Sequence, residues 1–147
     1  METIKKDLTT VESGIVAHGC NCSGGFGSGI AGAIKNRWPC VALEFRGNGT
    51  GAELLGTIQV VQIAKDLVVA NCYTQVNYGP GDKRYADPEA IEACLYQLVE
   101  LAIETGLPLY IAKIGCGLGG LSWEHEVEEI YESVFNDSNL RVFVCDI

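Results

Sequence analysis

The sequence predicts a single α/β domain whose helices cover a mixed β-sheet. Short apolar strand-like runs alternate with helical patterns along the whole chain. One pair of strand-like runs is separated only by Lys65 and Asp66, which reads as a hairpin and makes the sheet mixed rather than purely parallel. The 147 residues contain no repeat, low-complexity tract or linker, so one domain spans 1–147, and 48% hydrophobic content is enough for a real core.

The elements follow in order. Ile15–Gly19 (IVAHG) is a short apolar strand. GIAGAIKNRW places Ile30, Ala33 and Ile34 on one helical face, and Pro39 stops that helix. ALEFRGNGTGAELLG reads as a helix tail followed by a glycine-rich connection. TIQVVQIAKDLVVANCY supplies the two hairpin strands. The clearest helix runs from Asp87 to Thr105: Asp87 suits the N-cap, Pro88 the first turn and Gly106 the terminus. Its apolar stripe is Ile91, Cys94, Leu95, Leu98, Leu101 and Ala102. LYIAKIG is a buried strand. Ser122 caps a helix with Val127, Ile130, Tyr131 and Val134 inward, and with Glu124, Glu126, Glu128, Glu129 and Glu132 as a solvated face. LRVFVCD is the last strand.

Composition narrows the function. The net charge of −9 disfavours binding along a nucleic-acid backbone. It leaves room for a small anion held by backbone N–H groups. No apolar run suits a membrane span and METIKKDLTT has no signal-peptide core, so the expectation is a cytoplasmic protein with no membrane partner, and the small size and acidic surface fit a monomer. Seven cysteines, an odd count, argue against a disulfide framework, and most read as small buried hydrophobes. His18, Cys20 and Cys22 have no matching ligand pair elsewhere, which argues against zinc. Cys20 and Cys22 read as packed thiols rather than nucleophiles.

Glycine is clustered. Gly24, Gly25, Gly27 and Gly29 precede a helix, and Gly115, Gly117, Gly119 and Gly120 lie between a strand and a helix. One such cluster is satisfied by turn-making alone. Two, both at strand-to-helix junctions, point to a ligand approached closely by backbone, and they could grip the two phosphates of a diphosphate. Neither matches the dinucleotide fingerprint or the Walker loop, so redox dinucleotides and ordinary triphosphate hydrolysis lose ground.

HGCNCSGGFGSGIAGAIKNRWP and IGCGLGGLSWEHEVEEI, with IKKDLTT near the start, resemble the macrodomains, which bind ADP-ribose. The nearest branch by resemblance is that of the ADP-ribose 1″-phosphate phosphatases. The resemblance implies a three-layer α/β/α domain with a mixed central sheet. It implies that Asp7 accepts from the adenine amino group and that the Leu8 amide meets the ring nitrogen. Asn21 would contact the distal ribose. Gly27, Ser28, Gly29 and Ile30 would run beneath the diphosphate, faced by Gly115, Cys116, Gly117 and Leu118.

There are departures. Gly24 replaces a second asparagine found in members active on protein-linked ADP-ribose. Gln75 occupies the place of a lysine, and Gly119 that of an acidic residue, used by a deglycosylating branch. No amine is then at hand to attack the sugar. The resemblance assigns His18, with Asn21, to catalysis: a water would attack phosphorus while His18 helps move the proton. The expected activity is hydrolysis of ADP-ribose 1″-phosphate, without metal or cofactor. Removal of ADP-ribose from ADP-ribosylated macromolecules and non-catalytic reading of ADP-ribose stand as alternatives. Tyr78, Asp82 and Lys83 fall in a polar segment that reads as an ordinary surface loop, the alternative being a rim whose Tyr78 stacks over or closes against the distal ribose.

Overall fold

A computed structural model of the chain describes residues 1–79 and 83–146. Six strands form one sheet: β1 (Glu2–Lys5), β2 (Gly14–Asn21), β3 (Ile58–Ala64), β4 (Leu67–Gln75), β5 (Leu109–Ala112) and β6 (Val142–Asp146). Their order is β1-β6-β5-β2-β4-β3. Only β3 runs antiparallel to its neighbour, paired with β4 through the tight turn at Lys65-Asp66, so the sheet is mixed. The central strands β2 and β4 are buried almost along their whole length. That burial on both faces is why they read as continuous apolar runs rather than alternating ones.

Four helices flank the sheet: α1 (Gly29–Arg37), α2 (Pro39–Gly47), α3 (Pro88–Thr105) and α4 (Glu128–Phe135). The connections β4–α3–β5 and β5–α4–β6 step one way across the sheet, while β2–α1–α2–β3 steps the other. Right-handed crossovers place α3 and α4 together on one face, and α1 and α2 pack on each other and against β2 and β3. No helix among the described residues is long and apolar enough to cross a membrane.

The helix ends follow local chemistry. Asp87 caps α3, its Oδ1 accepting from the amides of Glu89 (2.9 Å) and Ala90 (3.5 Å), and Gly106 closes it at φ +71°. Ser122 accepts from the His125 amide. The first turn after it, Trp123–Val127, is a π-helical turn that passes directly into α4.

The structure corrects some of these expectations. Pro39 ends α1 as expected, but it also begins α2, because a proline at the first helical position gives up no needed N–H. Of the three residues that share one helical face of α1, only Ile34 is buried; Ile30 and Ala33 are exposed. The strand LYIAKIG ends at Ala112, and Lys113–Cys116 already turns, with Cys116 N–H donating to the Lys113 carbonyl. Glu126 is also not merely solvated: its carboxylate takes a two-pronged pair of hydrogen bonds from Arg84 at 2.7 and 2.6 Å.

Candidate functional site

The C-terminal ends of β2, β4 and β5 open into a cleft of about 610 Å³. That volume lies within the range of small-molecule sites, and the place is where ligands bind open α/β sheets. Its walls are the two glycine-rich loops. Gly25 to Ala31 stand on one side and Lys113 to Gly119 on the other, with Asn21, Thr74, Gln75 and Tyr78 at the strand ends.

The first loop is built from Asn21. Its Oδ1 accepts from the amides of Ser23 and Gly25, each at 3.0 Å, and its Nδ2 donates to the Gly25 carbonyl at 2.9 Å. The second amide hydrogen of Asn21 has no partner among the described residues. A neighbouring segment is tied to the same loop. Cys22 N–H donates to the Gln75 carbonyl at 2.9 Å, and Ser23 Oγ donates to the Val76 carbonyl. Tyr78 lies flat enough against Gly25 that a Cβ there would fall 2.7 Å from the ring. The loop then runs through Gly27 and Ser28 into α1, and Ser28 makes no side-chain cap. Among the described residues, the amides of Gly29, Ile30 and Ala31 therefore have no protein partner, as the first turn of a helix dictates.

The second loop is framed by two left-handed glycines, Gly115 at φ +81° and Gly120 at φ +82°. A side chain at Gly120 would strike the Lys83 carbonyl, and one at Gly119 would lie 2.8 Å from the Gly115 backbone. An acidic side chain in place of Gly119 would have no room here. Tyr85 and Ala86 donate to the Gly119 carbonyl, pinning the loop, and Leu121 N–H donates to Gly115. The amides of Gly115, Gly117, Leu118 and Gly119 donate to no other described residue. Gly27 and Gly117 are distinct from the rest: neither has positive φ, and a Cβ on either would meet nothing within 4 Å. Nothing within the protein requires glycine there.

The cleft thus gathers Asn21, Gly27, Ser28, Gly29, Ile30, Gly115, Gly117 and Leu118. It does not gather the other candidates. Asp7 caps the 3₁₀ turn Leu8–Thr10 outside the cleft lining, its Oδ1 accepting from the Thr9 amide (2.9 Å) and hydroxyl (2.8 Å). Those bonds hold its carboxyl below the usual range. Leu8 buries its side chain, while its amide is unpartnered among the described residues. Cys116 is half-buried, donates its thiol to the Ile114 carbonyl, and has its amide consumed by the turn. Asp82 lies outside the described residues, and Lys83 contributes only its backbone.

His18 is the main correction. The ring is 1% exposed and does not line the cleft. Its Nε2 is 2.6 Å from Asn71 Oδ1, and burial pushes its pKa down to about 4. A general acid or base must reach the substrate, and this ring faces the interior of the sheet. Cys20 touches the cleft, but burial drives its thiol well above the ordinary range, which makes it inert. Among the described residues no three His, Cys, Asp or Glu side chains form a metal cluster.

Four cleft residues were not singled out. Phe26 sits among glycines and forms part of the floor. Thr74 is 1% exposed and its Oγ1 has no hydrogen-bond partner among the described residues. Gln75, read only as a replacement for lysine, donates to the Asn77 carbonyl at 2.8 Å. Lys113 is an amine in the cleft wall that the sequence reading did not anticipate. Its Nζ is 3.2 Å from Asp146 Oδ2 and lies over the Trp123 ring. A β-strand end gives no sequence signal for Thr74, Gln75 or Lys113, since each looks like ordinary strand continuation.

The family model described as Macro domain matches residues 17–130. An uncharacterized 17.5 kDa protein of Enterobacteria phage T4 is 28% identical over 97% of this chain and 94% of its own length. A macrodomain protein from Streptomyces coelicolor superposes with a TM-score of 0.80 at 27% identity, over 99% of this chain and 98% of that one. The Thermosipho africanus DarTG protein, solved in complex with ADP-ribose, superposes with a TM-score of 0.78 at 19% identity, over 97% of this chain and 40% of that one. At that identity the likeness shows the fold alone.

Proposed function

Because this chain belongs to the macrodomain family, we propose that its cleft binds ADP-ribose or a derivative substituted at the distal ribose. One observation carries the reading: two facing loops present unpartnered amides, from Gly29, Ile30 and Ala31 on one side and Gly115, Gly117 and Leu118 on the other. Oriented N–H groups bind anions without a formal positive charge, and the start of α1 adds its dipole. An acidic protein can hold a diphosphate this way. In this reading Asp7 accepts from the adenine amine and the free Leu8 amide meets the ring. Asn21 offers its remaining amide hydrogen to the distal sugar.

Hydrolysis of ADP-ribose 1″-phosphate is the second reading. What favours it is the polar capacity left unused at the strand ends among the described residues, namely the second Asn21 amide hydrogen and the Thr74 hydroxyl. The described side chains lining the cleft include no carboxylate and no imidazole. Any hydrolysis here rests on positioning a water and neutralising phosphate charge, not on His18. Release of ADP-ribose from a macromolecule through a lysine adduct is disfavoured. The Gln75 position lacks an amine, and Lys113 is engaged by Asp146.

The test separates these readings. The protein is titrated with ADP-ribose and AMP, then incubated with ADP-ribose 1″-phosphate and with ADP-ribosylated protein while phosphate and ADP-ribose release are followed. Saturable binding with a preference for ADP-ribose over AMP supports the cleft assignment. Phosphate release abolished by Asn21→Ala supports the second reading. Absence of binding rejects both.

A further inference from the structure

His18 belongs to a hydrogen-bonded line that crosses three strands. It faces Asn71 across the β2–β4 pairing, and Asn71 faces Gln59 across the β4–β3 pairing. Asn71 Nδ2 donates to Gln59 Oε1 at 3.0 Å, and Gln59 Nε2 donates to the backbone carbonyl of Glu44 in α2 at 2.8 Å. The direction of the line is fixed from its far end. A backbone carbonyl only accepts, so Gln59 must turn its NH₂ toward Glu44 and its oxygen toward Asn71. Asn71 must then donate to Gln59 and present its own oxygen to His18. The imidazole nitrogen facing that oxygen must carry the proton. The remaining nitrogen, Nδ1, then carries no proton; Cys20 Sγ lies 3.9 Å from it and 3.7 Å from Nε2.

On its other side the ring meets Phe26. The two ring centroids are 5.4 Å apart at 86°, an edge-on contact. Phe26 lines the cleft and packs on Phe45 at 4.7 Å, and Phe45 stacks on Tyr73 at 5.7 Å. This cluster is the support under the first glycine-rich loop. The ring that looked like an acid–base group is therefore held where it can set the height and tilt of the cleft floor.

We propose that His18 is a positioning residue: the relay anchored on the Glu44 carbonyl keeps its proton on Nε2 and fixes its edge against Phe26, so that the first loop keeps the shape that binds ligand. The tautomer is chosen by a hydrogen bond three strands away rather than by the cleft. The affinity consequence rests on the ADP-ribose reading; the tautomer does not.

The chain has two histidines, so long-range ¹⁵N–¹H correlation spectra of the imidazoles are readily assigned, with exposed His125 as the comparison. At pH 7 the wild-type protein shows the Nε2–H form of His18. Gln59→Leu, a change outside the cleft, frees the Asn71 amide to rotate. The Nδ1–H form then appears, and ADP-ribose affinity falls about threefold to tenfold. Gln59→Glu loses the bond to the Glu44 carbonyl but keeps an oxygen that accepts from Asn71, so it retains the Nε2–H form. A wild-type Nδ1–H signal overturns the proposal whatever the variants do. So does a Gln59→Leu protein with an unchanged tautomer, or with a changed tautomer and unchanged affinity. Failure of the wild-type chain to bind ADP-ribose rejects the ligand reading, and the wild-type tautomer still decides the relay.

Discussion

Gly27→Ala and Gly117→Ala offer the sharpest separation of folding from binding, with Gly119→Ala as their contrast. At positions 27 and 117 the added Cβ meets no heavy atom within 4 Å, and neither residue needs left-handed backbone. Replacing such a glycine trims the freedom of the unfolded chain, so stability should stay within about 0.5 kcal/mol or rise slightly. At Gly119 the Cβ lies 2.8 Å from the Gly115 backbone and 3.0 Å from Ala86 Cβ. Backbone cannot swing aside, so a loss of about 1–3 kcal/mol is expected. The order reverses for ligand. A methyl at 27 or 117 stands in the cleft and holds a diphosphate away from neighbouring amides. Weakening one charge-assisted hydrogen bond by about 1.5–3 kcal/mol corresponds to roughly tenfold to hundredfold in Kd. Thermal unfolding and calorimetric titration with ADP-ribose, run on the same three proteins, measure both quantities. If Gly27→Ala and Gly117→Ala fold and bind like the wild type, the open space beside them is not ligand space and the reasoning fails.

Other expectations are equally concrete. Asp87→Ala removes the cap of α3 and should cost about 1 kcal/mol, a fall in Tm of about 2–4 °C by differential scanning calorimetry. Tyr131→Phe deletes a hydroxyl that accepts from the Ile114 amide at 3.0 Å and donates to the Ala112 carbonyl at 2.6 Å. The Ile114 amide and the Ala112 carbonyl keep their bond to each other at 3.0 Å, so the change should cost about 1 kcal/mol, and since Ile114 lines the cleft, ADP-ribose affinity should fall with it. His18 predicts a pH effect. Its pKa falls from 6.5 to about 4 on folding, chiefly through burial, so between those values the unfolded chain binds more protons. Acid therefore favours unfolding across that window, and the contribution of His18 to stability, complete above pH 6.5, falls by about 2 kcal/mol between pH 7 and pH 5. Urea unfolding of wild type and His18→Gln at both pH values should show that difference in slope. Equal slopes would mean that His18 is not buried neutral.

How much of this was legible beforehand depended on how locally each feature is encoded. Asp87, Pro88 and Gly106 mark both ends of α3 by their own backbone chemistry, and the structure keeps all three. The hairpin at Lys65-Asp66 and both glycine clusters were readable for the same reason. Pro39 was half-read, because a proline that stops one helix is also a good first residue for the next. Periodicity puts Ile30 on one helical face with Ile34, yet only Ile34 is buried; Ile30 stands 38% exposed in the cleft wall, because the first turn of α1 lies at the cleft. His18 was misplaced because strand alternation decides which face a side chain takes, and a continuous apolar run such as IVAHG carries no alternation to read. Asn71 and Gln59 gave no signal at all. Their meaning comes from strand register, which joins residues far apart in the chain.

The most direct test of the anion cradle follows backbone amide signals while unlabelled ADP-ribose is added to ¹⁵N-labelled protein. The account predicts saturable shifts concentrated in Gly27, Gly29, Ile30, Gly117 and Leu118, from both loops at one common affinity. Shifts absent at millimolar ligand, or confined to one loop, would contradict it.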